Sequence, residues 1–314
     1  MATKVVDRTL LAHQDAMLEK LFGLLVQSHY RTSPNDLRQL LDSPGAQLRM
    51  IEQAGEPQAV LVTREEGGFE ATLANQVARG ERRPQGHLLA QSLATHAGSR
   101  GALTARWRRV VRIATHPERR RQGLGQTLLG EDMDAAKQQG AALYGATFGA
   151  EASLLRFWLA LGFTPVRLGI TRETSTGEFA VMVAKALNSE GEVVLAELSE
   201  RFLAALPGLL AFELKALPAA VLVVLLAQMP SMPLSDREWQ DIEDVTTAHR
   251  DPALARSALQ ALARIASHRA LTETQQQAHQ QLSAWAFQNI ALADAHNDAV
   301  KSLRLAVNSL IEVK

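Results

Sequence analysis

The sequence predicts an α/β layer structure followed by an all-α domain. Two observations carry this. From about residue 48 to Leu187, short apolar or β-branched runs alternate with helical periods, and from Val193 the pattern stays helical nearly to Lys314. A length of 314 residues suits two domains. The boundary is expected at Asn188-Ser189-Glu190-Gly191, giving residues 1–187 and 188–314.

The elements follow from periodicity. Leu10, Leu11, Met17, Leu18, Leu21, Phe22 and Leu25 recur at three- and four-residue intervals, so about Asp7 to Ser28 reads as one amphipathic helix. Ser33-Pro34-Asn35-Asp36 is a helix start, opening a short helix through Leu41. The runs 48–53 and 58–63 are strand-like around Gly55-Glu56-Pro57 and suggest a hairpin. A helix is expected from Gly86 to Thr95, then a strand over 106–115 with Trp107, Val111, Ile113 and Thr115 on one face, ending at His116-Pro117. A helix from Gly123 to about Gln139 follows. Next come a strand at 141–148, a helix from Ala152 to Leu161, and strands at 162–168 and 178–187. In the second domain, Ser235 or Asp236 is a plausible N-cap for the helix carrying Trp239 and Ile242.

Composition narrows the function. With no cysteine, a disulfide scaffold, a thiolate nucleophile and a Cys-ligated zinc site are excluded, and no metal is expected. The longest apolar stretch, Leu217 to Ala227, falls well short of the roughly 20 residues of a spanning helix, so no membrane partner is expected and the stretch reads as a buried helix. The first residues mix acids and bases among apolar positions and lack the h-region of a secretory signal, which implies a cytoplasmic location. Residues 1–187 carry 23 Lys+Arg against 18 Asp+Glu, and residues 188–314 carry 10 against 15. Between Arg79 and Arg121 there are eleven arginines and two acids, a candidate footprint for phosphates as well as an ordinary basic surface.

The chemistry lies in VVRIATHPERRRQGLGQTLL, residues 110–129. A strand ends at Pro117, a basic turn follows, and Gln122-Gly123-Leu124-Gly125 opens a helix. Amides at a helix N-terminus have no intrahelical partners and carry the positive end of the dipole, so they bind phosphate oxygens. Glycines at 123 and 125 let the backbone approach without a Cβ in the way. The alternatives fail: the chain has no Gly-Lys dipeptide, hence no P-loop, and no G-x-G-x-x-G.

Arg120-x-x-Gly123-x-Gly125, after the strand end at Ile113 to Pro117, resembles the [Q/R]-x-x-G-x-[G/A] signature of the GCN5-related N-acetyltransferases. More narrowly, VVRIATHP, FGAEASLLRFWLALGF and RLGITRETSTGEFAVMV resemble the acetyltransferase module of the tRNA(Met) cytidine acetyltransferases, as do GHLLAQSL and DREWQDIEDVTTAHR. That family makes N4-acetylcytidine at the wobble position of elongator tRNA(Met). The resemblance implies a GCN5-related N-acetyltransferase fold, with a mixed, mostly antiparallel central sheet flanked by helices, followed by the all-α domain. It implies acetyl-CoA as cofactor, tRNA as partner and a helical tail that helps hold tRNA, although the tail's net negative charge argues against that last role. The family's N-terminal helicase-like region is not part of this sequence. A natural short relative, a fragment and a separate helicase-like partner are all open expectations.

The resemblance also implies site residues. The backbone of Ile113, Ala114 and Thr115 would pair with the pantetheine arm, and Arg120, Arg121, Gln122, Gly123, Leu124, Gly125 and Gln126 would hold the pyrophosphate. Leu155, with Trp158 three residues on, would wall the cofactor slot or simply pack in the core. Many acetyltransferases of this fold place a Tyr four residues before the Gly-Phe pair, where this chain has Trp158, whose indole N–H is no practical acid. His116, beside the cofactor loop, is the candidate for proton transfer, and His87 is a second; fixing the strand-to-loop turn is the competing role of His116. Arg79, Arg82, Arg83, Arg106, Arg108 and Arg109 would meet tRNA phosphates, while Arg112, between Val111 and Ile113 in a strand, reads equally as a structural arginine. With no cysteine available, transfer is expected to be direct, in a ternary complex. A protein or small-molecule amine as acceptor, or a catalytically silent tRNA-binding remnant, are the alternatives.

Overall fold

The computed structural model describes residues 3–27, 34–174, 176–293 and 296–311. The chain forms two compact units: Met1–Gly149 with Trp158–Phe202, and Ala150–Phe157 with Leu203–Lys314. The first unit thus continues beyond Leu187, because the helix that begins at Ser189 runs on without a break.

In the first unit, β1 (Thr3–Val5) leads into α1 (Arg8–Leu11), α2 (Asp15–Gln27) and α3 (Pro34–Asp42). The single helix expected from Asp7 to Ser28 is therefore two. Asp7 caps the first, accepting from the N–H groups of Thr9 and Leu10, and the chain turns between Leu11 and Asp15. Ser28 and Ser33 lie outside the described residues. Strands β2 (Ala46–Gln53) and β3 (Glu56–Gly67) form the expected hairpin, but its turn is Ala54-Gly55. Both turn residues have positive φ, 51° and 78°, the two-residue geometry that matches strand twist, so Glu56 and Pro57 already belong to β3.

Then come α4 (Ala71–Ala78), α5 (Leu88–Ala97), α6 (Gly101–Thr104), β4 (Arg106–Thr115), α7 (Leu124–Gln138), β5 (Leu143–Gly149), α8 (Ala152–Ala160), β6 (Thr164–Arg172) and β7 (Phe179–Ala186). The sheet order is β1-β2-β3-β4-β5-β7-β6, with β4 and β5 parallel and every other pair antiparallel. This is the mixed, mostly antiparallel sheet that the resemblance implied. On one part of the sheet, Leu21, Leu24 and Leu25 of α2 pack on Leu48, Met50, Val60, Val62 and Ala114. Elsewhere, Leu89, Ala90, Leu93 and Ala94 of α5 pack on Trp107, Met182 and Ala184.

One residue reorganises β4. Thr63 pairs with Val110 and Val62 with Arg112, so Val111 is an extra residue, a β-bulge. A bulge reverses which residues face which side. Arg108 meets Asp132 of α7 before it, and Ile113 and Thr115 lie beside Gly125 of α7 after it. Trp107 instead packs against α5. The expected common face for Trp107, Val111, Ile113 and Thr115 is thereby corrected, and Val111 is left exposed.

Helix α9 (Ser189–Ala211) leads to α10 (Ala219–Leu226), α11 (Asp236–Thr247), α12 (Arg256–Ser267), α13 (Glu273–Gln288) and α14 (His296–Ile311). The apolar run is the buried α10, and α13 packs against α10, α12 and α14. Ser235 is the N-cap of α11, in a reciprocal capping box with Glu238. Among the described residues no helix is long and apolar enough to cross a membrane.

The buried His279 of α13 bonds through Nε2 to the Ala263 carbonyl of α12 at 2.8 Å. Burial pushes its pKa below 6.5, and the bond to Ala263 offsets only part of that. The unfolded chain therefore takes up this proton first as pH falls, so the neutral ring's stabilisation is full above pH 6.5 and declines below it. Unfolding free energy measured from pH 7.5 to 5 is expected to fall less steeply in His279→Gln than in the wild type; equal slopes would contradict this.

Candidate active site

Site geometry begins where two strands part. The parallel ladder of β4 and β5 runs from Trp107↔Leu143 to Val110↔Ala146 and stops at the bulge, although β4 continues to Thr115 and β5 to Gly149. The distal half of β4 keeps its pairing with β3, from Arg112↔Val62 to Thr115↔Ala59. Its other backbone edge is left without strand partners, ready to accept an extended ligand.

Helix α7 opens beside that edge. Gly123 is its N-cap at φ 81°, Arg121 also lies in the left-handed region at φ 60°, and no side chain caps the helix. None of the backbone N–H groups from Arg121 to Gln126 donates to another described residue, whereas Thr127 N–H returns to the Gly123 carbonyl at 3.0 Å. Left-handed residues alternating in a turn make a concave nest of amides, and the helix dipole adds positive potential. A Cβ at Gly125 would stand 3.5 Å from Ile113 Cδ1 and 3.9 Å from Thr115 Oγ1. The mouth of α7 thus sits against the free half of β4, and it can hold a diphosphate beside a strand edge that can pair with an amide-bearing arm.

A groove of about 840 Å³ lies in the same unit. Its floor is one face of three strands: Thr147 of β5, Ala180 and Met182 of β7, and Arg167, Gly169 and Thr171 of β6. Its wall is the loop from Gly80 to His87 and the side of α5 that carries Leu88, Gln91, Ser92, Thr95 and His96, away from the helix's packed face. Thr147 is the first β5 residue beyond the point where β4 and β5 part, and its buried Oγ1 has no hydrogen-bond partner among the described residues. Arg82, Arg83 and Arg167 face the groove against a single acid, Glu173, so its field is positive.

His87 borders this groove with a fixed ring. Its Nδ1 accepts the Gly67 N–H at 2.9 Å, which puts the proton of the neutral ring on Nε2. Burial lowers its pKa, only partly opposed by Glu66, and Arg64 lowers it further. With Nδ1 committed, the neutral His87 ring is a hydrogen-bond donor through Nε2 rather than a proton acceptor. Beneath it, the buried Glu66 accepts from the N–H groups of Leu89 at 2.8 Å and Ala90 at 3.2 Å and pairs with Arg109, which fixes the start of α5.

The other expected residues divide clearly. Ile113 and Thr115 face α7, while Ala114 packs in the α2 core, so at Ala114 only the backbone is offered. His116 does not line the groove. Its backbone N–H donates to the Gln58 carbonyl at 2.8 Å and its carbonyl accepts from the Arg119 N–H at 2.8 Å, while its buried Nδ1 has no hydrogen-bond partner among the described residues. Leu155 is fully buried; Trp158 stacks on Phe148 at 6.0 Å and meets Phe163 edge-on at 4.8 Å, a packing role. Two of the arginines read as phosphate contacts are corrected. Arg108 is 1% exposed and sits between Asp132 and Glu65, and Arg109 is taken up by Glu66. Arg106 is exposed but lies over Gly68 and Gly140, and Arg79 pairs with Glu81 at 2.9 Å. Arg82 and Arg83 remain, in the groove wall. The sequence reading passed over Arg167, His96 and Thr147. An arginine between Val166 and Leu168 in a strand was the available signal for the first.

Residues 20–133 match the family model GNAT acetyltransferase 2. That match, with the split between β4 and β5 and the open mouth of α7, gives the first unit the GNAT fold. The chain is also similar to proteins named tRNA(Met) cytidine acetyltransferase TmcA. It is 38% identical to the one from Nitrosococcus halophilus over 77% of this chain and 33% of that protein. It is 39% identical to that from Pectobacterium atrosepticum over 73% of this chain and 33% of that protein, and 34% to that from Haloferax volcanii over 73% and 31%. The chain spans about a third of the length of these relatives.

Proposed function

We propose that this chain transfers an acetyl group from acetyl-CoA to N4 of a cytidine in tRNA, the wobble position of elongator tRNA(Met) being the leading site. The observation that carries the reading is the pairing of an uncapped, amide-lined helix mouth beside a free strand edge with a groove whose charge is positive. A cationic groove attracts a polyanion and repels a lysine or polyamine, which sets RNA ahead of an amine acceptor. The named relatives support the same choice.

The residues fit the cofactor. The amides of Arg121 to Gln126 bind the diphosphate, and the backbone of Ile113 to Thr115 pairs with the pantetheine arm. Acetyl-CoA supplies the acetyl group in activated form, as a thioester. Arg82 and Arg83 hold phosphates of the acceptor at the groove wall. Cytosine N4 is neutral at pH 7, so no ammonium need be deprotonated before attack and orientation is the main requirement. The chemistry the bound thioester would supply is acyl transfer, in which N4 would take the acetyl group and the released sulfur would take the proton that N4 gives up. His87, a donor with its lone pair already committed, orients rather than deprotonates. With no cysteine, no thiol of this chain can carry the acetyl group between cofactor and acceptor.

Mass spectrometry of nucleosides from a tRNA(Met) transcript incubated with this chain and acetyl-CoA, with and without ATP, tests the reading. N4-acetylcytidine is expected. An unmodified transcript under both conditions, with acetyl-CoA consumed on an added amine, would overturn it.

A further inference from the structure

We propose that Arg167 is the phosphate anchor of the acceptor groove, forking onto a backbone phosphodiester of the RNA and setting how its nucleotide enters. The inference rests on the reading of RNA as acceptor and adds a residue that the sequence did not single out.

Arg167 is placed by a register shift. Pro165 pairs with Val183 and Arg167 with Met182, so Val166 is the extra residue and Arg167 comes to stand opposite Met182, on the groove floor. Gly169 and Thr171 follow on the same face, and the small Gly169 and Ala180 keep that floor low. Of the three residues that β6 gives to the floor, Arg167, Gly169 and Thr171, the arginine is the one with a long side chain.

The electrostatics point the same way. Arg167 is half-buried, yet its hydrogen-bond partner within the protein is a thioether, Met182 Sδ at 3.9 Å, and no carboxylate lies within ion-pair distance among the described residues. The structural arginines of this unit are built differently: Arg49, Arg108 and Arg109 each meet a carboxylate. Partial burial of a guanidinium without such a partner is costly, and burial depresses the Arg167 pKa. Across the groove, Arg83 adds a second cation. His96 stands within reach of both: its pKa is lowered by burial and then by Arg167 and Arg83. A planar guanidinium is matched bidentately by a phosphate, which neutralises the charge that the protein leaves uncompensated.

The phosphate could instead be one carried by the cofactor, and the test separates the two sources. The full chain, R167M and R167K are compared in steady-state acetylation of a tRNA(Met) transcript, in filter binding of that transcript and in calorimetry with acetyl-CoA. Methionine keeps an unbranched apolar stem and lysine keeps the charge, so both variants are expected to fold, as circular dichroism would check. R167M is expected to raise the KM for RNA, and its Kd, on the order of tenfold, with acetyl-CoA affinity unchanged. R167K should recover part of that loss, since an ammonium cannot fork. The slope of log Kd against log salt should drop by about one in R167M. Wild-type values of KM, Kd and salt slope in R167M would overturn the anchor, and so would a loss of acetyl-CoA affinity. A wild type that acetylates no RNA would instead overturn the acceptor reading, while filter binding still reports on Arg167.

Discussion

Gly123→Glu is expected to lower acetyl-CoA affinity at least about 100-fold, through two additive causes. The residue sits at φ 81°, where a side chain with a Cβ costs about 1–2 kcal/mol. More important, its carboxylate enters the positive mouth of α7 and takes the amides of Leu124 to Gln126 for itself, as an acidic N-cap does. A carboxylate about 4 Å from a phosphate charge adds repulsion of about 4 kcal/mol at an effective dielectric constant of 20. Gly123→Asn separates the causes, because asparagine tolerates the left-handed region and carries no charge. It should lose no more than about 30-fold, since at most about 2 kcal/mol for the left-handed turn remains. Calorimetry that finds wild-type affinity in Gly123→Glu would remove the helix mouth from the site.

The second large effect concerns the support under β4. Asp132 of α7 is fully buried, bonded to Arg49 Nε at 2.9 Å and Tyr144 Oη at 2.8 Å, with Arg108 Nη1 at 3.7 Å. Burial, then the charge of Asp132, pushes the Tyr144 pKa well up, so the phenol stays protonated and donates. Asp132→Ala removes the anion, leaving the nearly buried Arg49 without its carboxylate and the buried Arg108 with the half-exposed Glu65 at 3.4 Å, a loss expected at about 3–5 kcal/mol. Asp132→Asn, which keeps an acceptor for Tyr144, should lose less. Urea unfolding gives the comparison, and a loss below about 1 kcal/mol in Asp132→Ala would mean that water already solvates these cations.

The same network shows where sequence reading stops. Arg108 and Arg109 sit in a run of arginines that looks like a basic surface, yet their direction depends on which strand face each occupies. Val110-Val111-Arg112 gives no sign that Val111 is an extra residue, since both valines are apolar and either could point inward. Without the bulge, Trp107 and Ile113 share a face; with it, they face different helices. Glycine spacing at 123 and 125, by contrast, is a local signal, and the helix opens where that spacing puts it. The groove was invisible because it joins residues 82–96 to residues 147–182, a juxtaposition made by the insertion of β7 between β5 and β6. The short elements β1 and α6 bury too few residues to leave a periodic trace, and α4 buries only Ala74 and Val77.

If amides at the start of α7, beside the free half of β4, grip a diphosphate-bearing cofactor, those amides must sense its binding. Amide chemical shifts in a ¹⁵N-labelled sample titrated with acetyl-CoA test it most directly. The largest perturbations are expected on Arg121 to Gln126 and on Ile113 to Thr115. Saturable shifts confined to other residues, with these amides unmoved, would contradict it.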